Sequence, residues 1–180
     1  VDVASGTGDV AKGFLKETNF FGKVSCVEPN INMLKIGEKK LKNFGNIKWY
    51  CANAEKLPFK DETFDIYVVS FGIRNFSNIN LALKESKRVL KTGGRFLCLE
   101  FSKVNNEILS EFYRKYSNII PYIGKYIVGK SEPYEYLINS INDFYNQDEF
   151  LNLIRSSGFE NVEYRDLSGG IAAIHSGWKI

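Results

Sequence analysis

The sequence is poor in the residues that build metal sites and disulfide frameworks. It has three cysteines and a single histidine among 180 residues. Cys26, Cys51 and Cys98 lie in separate apolar stretches, and no two of them have the spacing of a metal-ligand pair. Isolated cysteines of this kind are typical of reduced core thiols. We therefore expect neither a disulfide framework nor a metal site.

Long apolar runs and a strong charge of one sign are also missing. No window reaches the ~18 consecutive apolar residues of a membrane-spanning helix. A net charge of +3 permits contact with an anionic surface but is too small to indicate a nucleic-acid-binding protein. No signal or transit peptide is recognisable. The chain begins at Val1 rather than at a methionine, and we expect it to be truncated at its N-terminus.

What the sequence does have is the composition and alternation of a globular α/β protein. Apolar residues make up 44% and charged residues 25% of a length that suits a single domain, 1–180. Strands are predicted at 1–4, 24–27, 47–51, 64–71, 95–101, 162–167 and 171–178. Their alternation with amphipathic helices predicts a Rossmann-like, doubly wound, seven-stranded and mostly parallel sheet. The last two strands flank Ser168-Gly169-Gly170 as a hairpin, so one of them is expected to be antiparallel.

Capping residues set the predicted helix ends. Asn30 is expected to cap the helix after the second strand, because asparagine side chains accept hydrogen bonds from free N–H groups. The helix that starts near Ile79 is expected to run to Gly93-Gly94, because glycine adopts the left-handed conformation that stops a helix. Residues 147–157 predict another helix, which Gly158 ends.

Residues 102–146 interrupt the alternation with an aromatic-rich, mostly helical pattern. Placed after the fifth strand, this insertion lies at the edge where open α/β sheets bind ligands. One predicted helical face carries Ile108, Phe112, Tyr116 and Ile119, and Lys115 and Lys125 are near it. The insertion is interpreted as a substrate lid that contacts an apolar ligand tail, a membrane surface or a partner subunit. Ordinary core is the alternative.

The loop after the first strand carries the first chemical signal, in the sequence Asp2-Val3-Ala4-Ser5-Gly6-Thr7-Gly8. Glycines let a backbone pass close to a ligand, and the first N–H groups of the following helix can bind a carboxylate or a phosphate. Glu28, at the end of the next strand, is placed to accept hydrogen bonds from two ribose hydroxyls. Loop and acid together favour an adenosine-type cofactor over a plain turn. The candidate cofactor-binding residues of this region are Asp2, Gly6, Thr7, Gly8 and Glu28.

The same loop favours S-adenosylmethionine over a dinucleotide. Dinucleotide sites use the spacing G-x-G-x-x-G, and Ala4 occupies the first glycine position here. The loop suits the smaller carboxylate and ammonium groups of a methionine moiety. Asn53 and Ala54 follow the third strand directly, where an amide side chain with an adjacent N–H can bind the edge of an adenine. A turn residue is the alternative for Asn53.

Several longer stretches resemble the ubiquinone/menaquinone-biosynthesis C-methyltransferases. They are VDVASGTGD, NAEKLPF, TFD, SFGIRNFSN, RVLKTGGRFLCLEFSK, YEYLINSI and GIAAIHSGWKI. The resemblance covers nearly the whole chain and implies a class I S-adenosylmethionine-dependent methyltransferase. The cofactor contacts that it implies are Thr7, Glu28, Asn53, Ala54 and Ser70. Ser5 stands where this family more often has glycine.

The resemblance also implies the reaction, which is methyl transfer to a ring carbon of a polyprenyl quinol. The stretches FGIRNF and CLEFSK favour a methoxy-benzoquinol of the ubiquinone route, and demethylmenaquinol is the alternative. The implied partners are the quinol, a peripherally bound membrane surface, and a homodimer or a quinone-biosynthesis complex. The implied compartment is the matrix side of the mitochondrial inner membrane, or a bacterial cytoplasm. Transfer to another phenol-like or sterol-like acceptor and a non-catalytic cofactor-binding scaffold stay open.

Methylating a ring carbon needs an electron-rich ring, which loss of a quinol proton supplies. If that hydroxyl resembles the one of tyrosine, with a pKa of about 10, ionising it at neutral pH costs about 4 kcal/mol. Arg74 and Asn75 follow the fourth strand and are candidates to stabilise the phenolate and to orient the ring oxygen or a water. Glu100, at the end of the fifth strand, is the candidate proton acceptor. The structural alternatives are a surface salt bridge for Arg74 and an ion pair with a lid residue for Glu100, while His175 is expected to be a packed or an edge residue of the last strand.

Overall fold

The computed structural model describes residues 1–103 and 132–180. Within these ranges the chain forms one mixed sheet with helices packed on both faces. The predicted lid helix, with Ile108, Phe112, Lys115, Tyr116, Ile119 and Lys125, lies outside the described residues. Its contacts with a ligand tail, a membrane or a subunit therefore stay a prediction.

Seven strands of the described residues form a single sheet with the spatial order β3-β2-β1-β4-β5-β7-β6. The strands are β1 Asp2–Val3, β2 Val24–Val27, β3 Ile47–Tyr50, β4 Phe64–Ser70, β5 Leu90–Phe101, β6 Glu160–Leu167 and β7 Ala172–Trp178. Neighbours among β1 to β5 pair in parallel, and β7 lies antiparallel between β5 and β6. The predicted doubly wound α/β fold is confirmed, including the antiparallel strand from the C-terminal hairpin.

The helices of the described residues are α1 Asp9–Glu17, α2 Ile31–Lys40, α3 Ile79–Val89, α4 Glu132–Asp143 and α5 Gln147–Ser156. The side chain of Asn30 accepts two N–H groups of the first turn of α2, which confirms its predicted role as N-cap. Gly158, at a φ of 89°, follows α5 where the sequence predicts the helix end. Short 3-10 turns occupy Ile73–Asn75 and Ser168–Gly170.

The end of α3 differs from the prediction. The helix stops at Val89, and Leu90 begins β5 opposite Phe64, so Gly93-Gly94 do not end a helix. Leu90 continues the helical pattern of α3, but its side chain is fully buried in the sheet. Burial there stabilises the strand more than one further residue would stabilise the helix. Gly93 adopts a φ of 79° where β5 is irregular in register with β4. The glycine therefore shapes a bulge in the strand.

Two apolar layers cover the sheet. On one face α1 packs Leu15 near Cys26 of β2. On the other face a larger cluster joins Phe96 of β5 to Phe150 and Ile154 of α5. A slip of register by one residue would move each side chain into the opposite layer, where it would not fit its neighbours. The layers therefore fix the carboxyl ends of β1 to β5 at one common edge.

None of the three cysteines is in a disulfide. Cys26 and Cys98 are buried, Cys51 is exposed, and all three are free thiols. Among residues 1–103 and 132–180, no group of three or more His, Cys, Asp and Glu side chains is arranged to hold a metal ion.

In the same part of the chain, no helix combines the length and the apolar character needed to cross a membrane.

The two ends of the insertion are joined at one place in the fold. Nε2 of Gln147, the first residue of α5, donates to the carbonyl oxygen of Lys103 at 3.0 Å and to Oδ1 of Asp166 at 3.1 Å. The carbonyl oxygen of Gln147 accepts a hydrogen bond from Nε2 of His175 at 2.9 Å. Burial lowers the pKa of His175, so this histidine is a packed, neutral residue of β7, as the sequence predicts.

Candidate active site

The loops after β1 and β4 meet at the carboxyl edge of the sheet. β1 lies between β2 and β4, which is the position where the strand order reverses and where doubly wound sheets bind ligands. A Cβ on Gly72, in the loop after β4, would lie 2.5 Å from Cβ of Ala4 in the loop after β1. This position therefore requires glycine, and the two loops form one continuous surface.

The loop after β1 is held in left-handed backbone conformations. Ala4, Gly6 and Gly8 have φ values of 54°, 56° and 79°. A Cβ on Gly8 would lie 2.7 Å from the indole ring of Trp49, so close packing and positive φ both exclude a side chain there. Within the described residues, no side chain caps the start of α1. The N–H of Ala11 bonds the Asp2 carboxyl, and the N–H groups before it in α1 are available to an anionic group.

Glu28 joins this loop to the end of β2. Its Oε2 accepts a hydrogen bond from the N–H of Gly6, and its Oε1 accepts one from the N–H of Asn30, both at 2.9 Å. Each oxygen keeps a second lone pair for a ligand. The structure therefore places the buried carboxylate directly beside the glycine loop. Its hydrogen bonds to ribose hydroxyls stay a prediction.

Asp2 lies buried beneath the same loop. Burial raises the pKa of its carboxyl to about 7, and a hydrogen bond from the N–H of Ala11 opposes that rise. Within the described residues, Oδ2 of Asp2 and Oγ of Ser5 are buried without a hydrogen-bond partner. Leaving buried polar atoms unpaired is costly. The two atoms therefore mark a place where a further polar group fits.

The raised pKa of Asp2 predicts a pH-dependent stability. Between the ordinary pKa of about 3.9 and the folded value of about 7, the folded state keeps a proton that the unfolded state releases. The free energy of unfolding consequently falls as the pH rises through this range. Because Asp2→Asn removes this titration, we expect the variant to gain stability relative to wild type from about pH 4 to about pH 8, by up to about 4 kcal/mol.

Urea unfolding at several pH values measures this difference. The exposed Asp143 provides a matched control, because Asp143→Asn removes the same group from a solvated position. Curves of unfolding free energy against pH that run parallel for wild type and Asp2→Asn would contradict the expectation.

Thr7 and its neighbour Asp9 are bound to Lys40 of α2. Nζ of Lys40 donates to Oγ1 of Thr7 at 3.1 Å and to the two carboxylate oxygens of Asp9 at 2.7 and 2.8 Å. The hydrogen bond from Lys40 holds the pKa of Asp9 below its ordinary value. These bonds fix the outer side of the glycine loop. The predicted contact of Thr7 with the cofactor stays a prediction.

An open cleft at the carboxyl edge brings several of the predicted site residues together. Its lining includes Ala4 after β1, Pro29 after β2, Asn53 and Ala54 after β3, and Asn75 and Phe76 after β4. Pro29 and Phe76 add apolar surface to the polar Asn53. The residues predicted to bind adenine and the residue predicted to orient the acceptor therefore line one cleft.

Neighbouring elements hold the loops of this cleft in place. Oε1 of Glu55, after β3, accepts a hydrogen bond from the N–H of Asn78 at 3.1 Å, and Asn78 caps α3. Ser70 is the last residue of β4 and pairs in register with Leu99 of β5. It is not part of the cleft lining, and its cofactor contact stays a prediction.

Arg74 and Glu100 form a buried ion pair, with side chains that are 8% and 2% exposed. Nη1 of Arg74 donates to Oε1 of Glu100 and to the carbonyl oxygen of Phe71, both at 2.7 Å. Nε donates to Oγ of Ser140 in α4 at 3.3 Å. The described residues thus bind three of the five N–H groups that a guanidinium carries. Within the described residues, the hydrogen bonds of the guanidinium involve Nε and Nη1 and none comes from Nη2.

The partner of Glu100 differs from the predicted one. The sequence suggested a proton acceptor or an ion pair with a lid residue, whereas Glu100 binds Arg74 of the loop after β4 and the N–H of Phe101 at 2.8 Å. Burial raises the pKa of Glu100, and Arg74 opposes that rise. The surface salt bridge considered for Arg74 is wrong, because the pair is buried. The bonds of Glu100 hold the Arg74 guanidinium in place, and the role of Glu100 as proton acceptor stays a prediction.

Two residues of α4 reach the Arg74–Asn75 turn, and sequence reasoning missed both. The hydroxyl of Tyr136 donates to Oδ1 of Asn75 at 2.9 Å, and Ser140 is the partner of Nε of Arg74. Both lie in the stretch YEYLINSI, four residues apart, so they share one helical face. That spacing was the available signal, but it does not say which loop the face contacts.

Comparisons with known proteins agree with this geometry. Residues 1–179 match the model of the ubiE/COQ5 methyltransferase family. A Rickettsia prowazekii protein named ubiquinone/menaquinone biosynthesis C-methyltransferase UbiE is 54% identical over 187 residues, covering 100% of this chain and 75% of the relative. A protein of the same name from Agrobacterium fabrum is 49% identical over 184 residues, covering 100% of this chain and 71% of the relative.

Solved structures share the fold at low sequence identity. An S-adenosylmethionine-dependent methyltransferase from Aquifex aeolicus aligns with a TM-score of 0.72 and 18% identity, over 99% of this chain and 80% of that protein. A Thermotoga maritima methyltransferase, described as a possible histamine N-methyltransferase, aligns with a TM-score of 0.68 and 23% identity. The alignment covers 99% of this chain and 80% of that protein. At these identities the likeness concerns the fold.

Fold and site together define an S-adenosylmethionine-dependent methyltransferase of class I. More narrowly, the chain belongs to the ubiE/COQ5 methyltransferase family, with S-adenosylmethionine as its cofactor. The residues present fit this cofactor. Glu28 offers a carboxylate beside the glycine loop. Within the described residues, Oδ2 of Asp2 and Oγ of Ser5 have no hydrogen-bond partner, so both can bind polar groups of the cofactor.

Proposed function

We propose that the protein transfers the methyl group of S-adenosylmethionine to a ring carbon of a polyprenyl methoxy-benzoquinol in ubiquinone biosynthesis. The observation that supports this best is the position of Arg74 and Asn75, which follow β4 while Asn75 lines the same cleft as Asn53 and Ala54. Donors for a phenolate oxygen thus lie beside the proposed adenosine site. The relatives' names cover both ubiquinone and menaquinone, so demethylmenaquinol is the second candidate.

The first three loops would hold the cofactor, and the bound cofactor supplies an electrophilic methyl group. Glu28 accepts hydrogen bonds from the ribose hydroxyls, and Asn53 with Ala54 binds the adenine edge. The glycine loop and the N-terminus of α1 bind the methionine moiety. The proposed cofactor-binding residues remain Asp2, Gly6, Thr7, Gly8, Glu28, Asn53, Ala54 and Ser70.

Arg74 and Asn75 act on the acceptor. As the quinol hydroxyl loses its proton, the Nη2 donors of Arg74 stabilise the charge that develops on its oxygen. Glu100, Ser140 and the carbonyl of Phe71 hold the guanidinium in one orientation. Because the pair with Glu100 is neutral overall, Arg74 works as a directed hydrogen-bond donor more than as a free charge. Glu100, whose pKa burial raises, is the proposed acceptor of the proton, through a water.

The proposed partners follow from the acceptor. A polyprenyl tail needs an apolar environment, so we propose that the insertion 102–146 acts as the lid and contacts the tail at a membrane surface. A homodimer or a quinone-biosynthesis complex stays a prediction. The relatives come from bacteria, which favours the bacterial cytoplasm over the mitochondrial matrix as the compartment.

The test combines cofactor binding with methyl transfer. Calorimetry measures the binding of S-adenosylmethionine, and mass spectrometry follows methyl transfer to a short-chain 2-methoxy-6-alkyl-1,4-benzoquinol and to a demethylmenaquinol analogue. We expect a C-methylated benzoquinol, with a simple phenol and a sterol unmethylated. Transfer to the naphthoquinol alone would move the protein to the menaquinone route. Cofactor binding without transfer to any acceptor would support a scaffold and overturn the proposal.

A further inference from the structure

Helix α4 contributes two polar side chains to the turn that carries Arg74 and Asn75. Tyr136 donates its hydroxyl proton to Oδ1 of Asn75 at 2.9 Å. Ser140 accepts from Nε of Arg74 at 3.3 Å and donates to the carbonyl oxygen of Leu137 at 2.9 Å. The proposed acceptor-binding residues are therefore both held from the same helix.

The bond from Tyr136 orients the Asn75 amide. A carboxamide has an oxygen that only accepts hydrogen bonds and an NH2 group that only donates them. The oxygen is turned toward the Tyr136 hydroxyl, so the NH2 group lies on the other side of the amide, where it can donate to a ligand in the cleft that Asn75 lines. An oxygen that gains negative charge is stabilised by a donor and repelled by a carbonyl oxygen.

We propose that Tyr136 is a positioning residue for methyl transfer, whose hydroxyl fixes the Asn75 amide so that it donates to the quinol oxygen of the acceptor. This inference rests on the proposed function and adds a residue to its acceptor site. The side chain of Tyr136 is 60% exposed, so its hydroxyl can be removed without opening a cavity in the core.

The first test is kinetic and uses Tyr136→Phe with the benzoquinol acceptor. We expect kcat to fall about 5- to 10-fold, the effect of one hydrogen bond, while the affinity for S-adenosylmethionine and the melting temperature stay at wild-type values. The matched control is Tyr164→Phe. Tyr164 lies in β6, outside the insertion and the cleft lining, and packs its ring against His175, so this variant is expected to keep the wild-type kcat.

A double-variant cycle separates positioning from a general effect on folding. If Tyr136 acts through Asn75, adding Tyr136→Phe to Asn75→Ala causes no further loss of kcat. An equal loss in both backgrounds, or wild-type kcat in Tyr136→Phe alone, overturns the inference.

The second test is independent of turnover. 4-Nitrophenol serves as a phenolate probe whose ionisation is visible by absorbance, and S-adenosylhomocysteine is present so that no methyl group is transferred. We expect the pKa of the bound probe to be lower in wild type than in Tyr136→Phe, because the Asn75 donor favours the phenolate. Equal probe titrations in the two proteins overturn the inference. Absence of methyl transfer in wild type overturns the proposed function instead, and the titration then decides the role of Tyr136 by itself.

Discussion

Replacing Arg74 with alanine is expected to lower kcat on the order of 100-fold or more, because the transition state loses a directed donor at the developing phenolate. Arg74→Lys is also expected to be slow. A lysine keeps the charge but cannot form the planar fork that binds Glu100, Phe71 and Ser140 together. The affinity for S-adenosylmethionine is expected to stay nearly unchanged in both variants. A rise in pH should partly rescue Arg74→Ala, because solvent then helps to ionise the quinol.

The buried ion pair requires a stability control for this experiment. Arg74→Ala leaves Glu100 without its charged partner, and breaking a buried pair in this way typically costs about 3–5 kcal/mol. The double variant Arg74→Met with Glu100→Gln removes both charges at similar volume, so it is expected to recover stability but not kcat. Wild type and these variants are compared by kcat against pH, by calorimetry of cofactor binding and by thermal unfolding. Near-normal turnover in Arg74→Ala would show that this arginine is structural.

Glu28→Ala is expected to weaken S-adenosylmethionine binding by a few kcal/mol at most, from the loss of two charge-assisted hydrogen bonds to the ribose. The structure adds a second contribution. The N–H groups of Gly6 and Asn30 lose their shared acceptor, so the glycine loop also becomes less ordered. Calorimetry of S-adenosylmethionine binding to wild type and to Glu28→Ala measures the sum of the two contributions to the affinity loss. NAD is expected to show no comparable binding to either protein.

An analogue of S-adenosylhomocysteine without ribose hydroxyls separates the two contributions. The part of the affinity loss that comes from the ribose is absent with this analogue, and the part that comes from the loop remains. Glu38→Ala on the exposed surface of α2 removes the same charge away from the loop and serves as control. Tight NAD binding, or unchanged cofactor affinity in Glu28→Ala, would refute the role assigned to Glu28.

The sequence predicted the elements that local patterns determine. Apolar runs placed the strands, Asn30 marked the start of α2, and the glycines of the first loop marked the cofactor edge. Because parallel strands end at one edge, the same reasoning placed Arg74 and Glu100 on a common side of the sheet. The end of α3 was missed, because burial of Leu90 in β5 is a tertiary effect that a helical period does not contain.

Side-chain pairings across the fold were beyond sequence reasoning. Glu100 lies 26 residues from Arg74, and its pairing with that arginine rather than a lid residue depends on side-chain directions at two strand ends. Tyr136 reaches Asn75 from 61 residues away, through a helix whose rotation is set by packing. The positive φ of Ala4 is likewise a conformation that alanine by itself disfavours, so its residue type does not predict it.

The junction between Lys103 and Gln147 ties the two ends of the insertion to one place on the sheet. One hydrogen bond between residues 44 positions apart closes the segment onto the sheet, beside the buried His175. Loop-closure entropy grows only with the logarithm of length, so doubling such a loop costs about 0.6 kcal/mol. Changes in chain length between Lys103 and Gln147 therefore cost the fold little chain entropy, as long as α4 keeps Tyr136 and Ser140 beside the Arg74–Asn75 turn. Acceptor preference can diverge there in evolution while the glycine loop and Glu28 keep the same cofactor.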